Sequence, residues 1–227
     1  MSQFKDSRIK IQRAEKHLAE FEKLMADFLI KDPARWQGPS IDSKSAPEKH
    51  LVLKYEVSVD PLSEESGAIF GDVVHNLRTA LDLMACELAR RNGESDKSVY
   101  FPFCEEAAYL DTMIKEKNFH RAGPKAVALL KKFAPHKGGN IALRAIHDLD
   151  MQDKHRSIVP SLISTISPEM HIGQSIVLEA TQKPSSIQVI FPNDSVFAGE
   201  EIIPILHNLV KVTTGVIEAF EALAQIP

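Results

Sequence analysis

The sequence predicts an α+β protein, mainly α: a helical-bundle core carrying a small antiparallel β-sheet drawn from residues 51–60 and about 158–192. Three observations predict it. Long segments repeat apolar residues every three or four positions, as one face of an α-helix does. Residues 51–60 instead alternate apolar and polar side chains, the period of a half-buried strand. From Ile158 to Phe191, β-branched runs are separated by Pro, Gly and Ser, the pattern of short antiparallel strands.

The elements follow in chain order. Ile11, Ala14, Leu18, Phe21, Met25 and Phe28 mark one face of a helix over Ser7 to Leu29, and Asp32-Pro33 stops it. Ala34 to Lys49, rich in Pro, Ser, Gly and charge, reads as an irregular connection. The alternating strand comes next and ends at Asp60-Pro61. Ser63 then offers a capping hydroxyl, and Glu64 and Glu65 face the positive end of a helix dipole. That helix carries the stripe Phe70, Val73, Val74, Leu77, Leu81, Met84 and Leu88 and closes at Asn92-Gly93. Further helices are predicted near Glu105 to Lys117, from Pro124 to Phe133, and from Ile141 to about Asp153, with Asn140 as the cap of the last. After the β-rich stretch, a final helix spans Glu200 to Gln225. Helical core (about 3–31, 63–156 and 200–225) and β elaboration together read as one domain over residues 1–227.

Hydrophobic content of 44% and charged content of 26% are ordinary for a soluble globular protein. Met1 to Lys16 lacks the apolar region of a secretion signal, and no stretch approaches an uninterrupted membrane span. Cys86 and Cys104 form no Cys-x-x-Cys pair, so a reducing cytoplasm is the expected location. Charge is unevenly distributed: Lys115 to Arg156 holds ten Lys or Arg against four Asp or Glu, a net of +6 within a chain of net −4. Such a segment favours anionic ligands, although solvated helix faces share the pattern.

Two segments combine charge and histidine with apolar helical stretches: His75-Asn76-Leu77-Arg78-Thr79-Ala80-Leu81-Asp82 and Asp153-Lys154-His155-Arg156. His75, Arg78 and Asp82 share one helix face beside Val74, Leu77 and Leu81. Arg144, Asp148, Met151 and His155 form a second line beside Ala145 and Leu149. If the two helices pack by their apolar stripes, the polar lines meet at one edge of the core. Burying such groups without partners costs several kcal/mol, roughly, so pairing them is the simplest solution. The meeting would supply imidazoles, guanidinium groups and carboxylates, which a binding site, a catalytic site and a purely structural network all use.

An enzyme would take His75 and His155 as general acid and base, with Arg78, Lys154 and Arg156 on a phosphate and Asp82 and Asp153 orienting the imidazoles. Asn76 completes the binding set. A metal site would need His75, Asp82, Asp148 and His155 to converge, and none is assigned. No serine-hydrolase elbow, P-loop, dinucleotide fingerprint or zincin motif occurs, and no cofactor is implied. His136-Lys137-Gly138-Gly139-Asn140 could bind a phosphate through backbone N–H groups but reads first as an interhelix turn.

Gly71-Asp72-Val73-Val74-His75-Asn76-Leu77-Arg78-Thr79-Ala80-Leu81-Asp82, Phe101-Pro102-Phe103 and Asp153-Lys154-His155-Arg156 resemble, in order and spacing, a widespread group of bacterial proteins with no assigned activity. Thr79 stands for that group's usual Ser and Phe103 for its usual Ile. More distantly the group is similar to the HEPN superfamily of helical domains, many of whose members are ribonucleases or nucleotide-binding partners of toxin systems. The nuclease members place four to six residues between an Arg and a following His. Here Arg13–His17 and Arg144–His147 fall short of that spacing. The leading expectation is therefore a cytoplasmic protein whose His/Arg/Asp site binds RNA or a nucleotide, with no membrane association. The alternatives are a structural or protein-interaction module that assembles through its helix faces as a homo-oligomer, and a HEPN-like ribonuclease.

Overall fold

The computed structural model describes residues 4–41, 53–155, 160–165 and 186–224. Its helices are α1 (Lys5–Ile30), α2 (Glu64–Arg91), α3 (Leu110–Glu116), α4 (Pro124–Phe133), α5 (Ile141–His155) and α6 (Ile202–Ala224). Its strands are β1 (Ala34–Ile41), β2 (Leu53–Val59), β3 (Ser161–Thr165) and β4 (Ser186–Ile190). The protein is thus mainly α with minor β, as the periodicities require.

The sheet arrangement differs from the expectation of a single sheet. β1 pairs with β2 and β3 with β4, giving two separate antiparallel pairs. β1 occupies part of the segment read as irregular. Its ladder breaks register between Gln37 and Ser40, where Gly38-Pro39 sits, because proline has no N–H to donate. That interruption hides the strand from a reading of alternation alone. The expected runs Ile158-Val159 and Ile176-Val177-Leu178 lie outside the described residues.

α2 forms the centre. Its stripe from Phe70 to Leu88 is buried, and α1 lies along it with Ile11, Ala14, Leu18, Phe21 and Met25 turned inward. Aromatic contacts extend this core in two chains. Phe70 meets Phe21 at 6.4 Å and Phe191 at 5.7 Å between ring centroids, while Phe119 meets Phe101 at 6.0 Å and Phe220 at 6.2 Å. α6 is long and apolar enough to cross a membrane by length and composition. In this fold it packs against α1, α2, α4 and α5, burying Leu206, Leu209, Val216, Ile217 and Phe220 in the common core.

Helix ends mostly follow local chemistry. Asn140 Oδ1 accepts the Leu143 N–H at 3.0 Å and so caps α5, and Pro124 opens α4. Ser63 precedes α2, but its hydroxyl makes no capping bond; Ser66 Oγ instead donates to Ser63 O at 2.7 Å. The helix expected from Glu105 starts later, as a 3-10 turn at Ala107–Tyr109 followed by α3. Glu105 is held out of it because its carbonyl accepts the Lys137 N–H at 3.1 Å.

Candidate functional site at the α2 and α5 seam

α2 and α5 pack with their chain directions opposed, so residues rising along one helix meet residues falling along the other. Gly71 faces Asp153 and His75 faces Asp150, while Arg78 and His147 border a common space. The approach at Gly71 is close: a methyl group there would lie 2.6 Å from the Asp153 carboxyl carbon. Only a residue without Cβ lets that carboxylate rest on the α2 backbone. The His75, Arg78 and Asp82 line of α2 does border this seam, but of the expected α5 line only Met151 does; the α5 residues that meet α2 are His147, Asp150, Asp153 and Lys154, and Arg144, Asp148 and His155 lie outside the cleft.

His75 is the centre of the site. Its Nδ1 lies 3.0 Å from Asp150 Oδ1, and its Nε2 lies 3.5 Å from Thr79 Oγ1, at the limit of hydrogen bonding. The Asp150 side chain is only 3% exposed, whereas that of His75 is 53% exposed. Lys154 Nζ donates to the other Asp150 oxygen at 2.5 Å. A buried carboxylate therefore holds two basic groups at the lip of a cleft of about 270 Å³. Thr79, Tyr100, Lys117 and Met151 complete the lip, with Arg78, Asp82 and His147 deeper in.

The lower part is a lock on the Phe101-Pro102-Phe103 segment. Asp82 Oδ1 accepts from Arg78 at 2.7 Å and from the Phe101 N–H at 2.8 Å. The Arg78 guanidinium lies 4.6 Å from the centre of the Phe103 ring, and the His147 imidazole stacks on that ring at 5.2 Å. Burial lifts the Asp82 carboxyl above its ordinary range, against the opposing pull of Arg78 and the Phe101 N–H.

The other expected residues lie elsewhere. Asn76 is buried against α1, donating to Asp72 O at 2.7 Å and accepting from Lys10 at 3.3 Å. His155 is exposed at the last turn of α5, outside the residues lining the cleft. Arg156 lies outside the described residues. Asp148 joins Arg144, which also reaches Glu105 at 2.6 Å, so His75, Asp82, Asp148 and His155 do not converge. Among the described residues no three His, Cys, Asp or Glu side chains are arranged to share a metal ion. The Gly138-Gly139 turn uses its backbone internally: Gly139 N donates to His136 O and Asn140 N to Ala134 O. Of the +6 segment, Lys117 and Lys154 supply the cleft's cations, and Arg78 comes from α2. Cys86 and Cys104 donate to backbone carbonyls, and burial pushes both thiols up, which disfavours the thiolate form.

No protein-family model matches the chain, and no curated protein or solved structure is significantly similar to it. The chemistry of the cleft rests on its own residues.

Tyr100, Lys117, His147 and Asp150 are the cleft residues that the sequence reading missed, and the last two lie on α5. A signal existed for those two, since each lies one helical turn from a residue already singled out: Asp150 precedes Lys154 by four and His147 follows Arg144 by three. His147 is neutral. Burial, reinforced by the charges of Arg78 and Arg144, lowers its pKa from 6.5 to about 4. Its Nδ1 is buried without a hydrogen-bond partner. An orphaned N–H costs more than an orphaned lone pair, so the proton belongs on Nε2.

A pH dependence follows. Because the folded state resists protonation of His147, the unfolded chain binds more protons between pH 6.5 and about 4, and stability falls as the pH drops through that window. After allowance for solvent at the cleft, the loss is on the order of 1–2 kcal/mol. The melting temperature should therefore fall from pH 7.5 to pH 4.5. His147→Phe, which keeps an aromatic ring against Phe103, should fall clearly less over the same interval.

Proposed function

We propose that the α2/α5 cleft binds a phosphate-bearing ligand, RNA or a nucleotide, and that His75 is its acid–base group. The observation that carries this reading is the His75–Asp150 pair. A buried carboxylate fixes Nδ1 of a half-exposed imidazole and leaves the rest of the ring open to a cleft edged by Arg78, Lys117 and Lys154. Fixing one ring nitrogen sets the tautomer of the other, which is how a histidine is prepared for proton transfer. Arg78 is paired with Asp82 and Lys154 with Asp150, but Lys117 has no ion-pair partner among the described residues, so the cleft keeps an excess of positive charge for an incoming anion. The segments around His75, Phe101 and Lys154 carry the resemblance to the bacterial group and, through it, a more distant one to HEPN domains; the Arg-to-His spacing of the nuclease members is missing, which favours binding over cleavage. A cytoplasmic location accompanies that reading.

A second reading is supported by the Asp82–Arg78–Phe101 lock, which satisfies its own hydrogen bonds and needs no ligand. On that reading the whole seam only fixes helix packing, and the chain serves as an interaction module. One comparison separates the two. Titration of the parent with adenosine 5′-monophosphate and a short single-stranded RNA should show binding that weakens between 50 and 200 mM salt. His75→Ala should lower the affinity roughly tenfold or more, with the melting temperature within a few degrees of the parent. His155→Ala should bind as the parent does. A parent that binds neither probe, together with a large loss of stability in His75→Ala, would leave only the packing role.

A further inference from the structure

We propose that Tyr100 is a stacking platform for the base of a single nucleotide, so that the cleft selects a nucleotide unit rather than phosphate alone. This rests on the reading above and narrows it. Tyr100 lies between two fully buried neighbours, Val99 and Phe101, yet remains 47% exposed. Its backbone is held on both sides: Tyr100 N donates to Lys117 O at 3.0 Å and Phe101 N to Asp82 at 2.8 Å. The chain thus presents this ring at the cleft from a fixed position.

Met151 reaches the same cleft from α5 and is 40% exposed. Among the described residues eight large hydrophobic side chains are exposed, and these two line one pocket together with its cations. An aromatic ring and a polarizable thioether suit the flat face of a heterocycle. Arg78, Lys117 and Lys154 suit its phosphate. A volume of about 270 Å³ lies at the small end of ligand sites, about 300–1,000 Å³, the scale of one nucleotide unit, free or within a strand.

The test is a binding series with inorganic phosphate, ribose 5-phosphate and adenosine 5′-monophosphate, on the parent, Tyr100→Phe and Tyr100→Ala. The parent and Tyr100→Phe should bind the nucleotide about ten- to a hundredfold tighter than ribose 5-phosphate. Tyr100→Ala should lose that preference while binding ribose 5-phosphate as the parent does. Equal affinity of the parent for the two compounds, or a preference that survives in Tyr100→Ala, overturns the stacking role and leaves the phosphate site standing. If the parent binds none of the three, the phosphate site and the platform fall together. Because Tyr100 is at the surface, all variants should melt close to the parent, and a collapsed Tyr100→Ala would itself contradict the exposed placement.

Discussion

Asp82→Ala is expected to lower the melting temperature by roughly 10 °C, the equivalent of about 2–4 kcal/mol in a chain of this size. The alanine leaves Arg78, whose side chain is 12% exposed, without its 2.7 Å partner, and leaves the Phe101 N–H without an acceptor. Both are groups that water reaches poorly. Asp82→Asn is expected to cost much less. Its amide oxygen can still accept from Phe101 N–H, and burial already raises the Asp82 pKa, which shows that the negative charge is held there at a cost. Thermal melts of the two variants side by side test the argument. Equal losses would mean that the charge, not the acceptor, fastens the Phe101 segment.

Asp150→Ala is expected to act the other way round, with a small effect on stability and a large one on binding. Asp150 is more deeply buried than Asp82, but its partners His75 and Lys154 are about half exposed and regain water when it is removed. The stability cost should stay near 1–2 kcal/mol. Affinity for adenosine 5′-monophosphate should fall at least roughly tenfold, since the imidazole loses its fixed orientation and the lysine its anchor. A calorimetric titration together with a melt decides it. Unchanged affinity would remove His75 from the proposed site.

Much of the fold was legible because helices of this length repeat their pattern many times. The stripe from Phe70 to Leu88 spans most of α2, and few other arrangements could bury it. The strands were harder. β1 gives only a few residues before Gly38-Pro39 breaks its ladder, and pairing between strands is a long-range property that no local period reveals. The site was legible as a neighbourhood but not as an orientation. His75, Arg78 and Asp82 announced themselves as charges beside an apolar stripe. Asp148 and Asp150 point about 200° apart around α5, so which of them meets His75 depends on how α5 is rotated about its axis against α2, and the contact of Asp153 with Gly71 goes with the rotation that selects Asp150. The same choice turns His155 away from the cleft and brings in His147, whose stacking partner Phe103 lies far off in sequence.

The double fastening of the Tyr100-Phe101 backbone bears on recognition as a whole. These loop residues are tied to α2 through Asp82 and to the chain after α3 through Lys117, and Phe101 is embedded in the aromatic chain that reaches α6. Such a wall opens only when the core around it opens. A ligand at the proposed site would therefore meet one side whose backbone is already in its final shape, and ordering that backbone would add no entropic penalty to association. Under the proposed binding role, discrimination between ligands would come from their fit to a rigid wall, with little room for the wall to adapt.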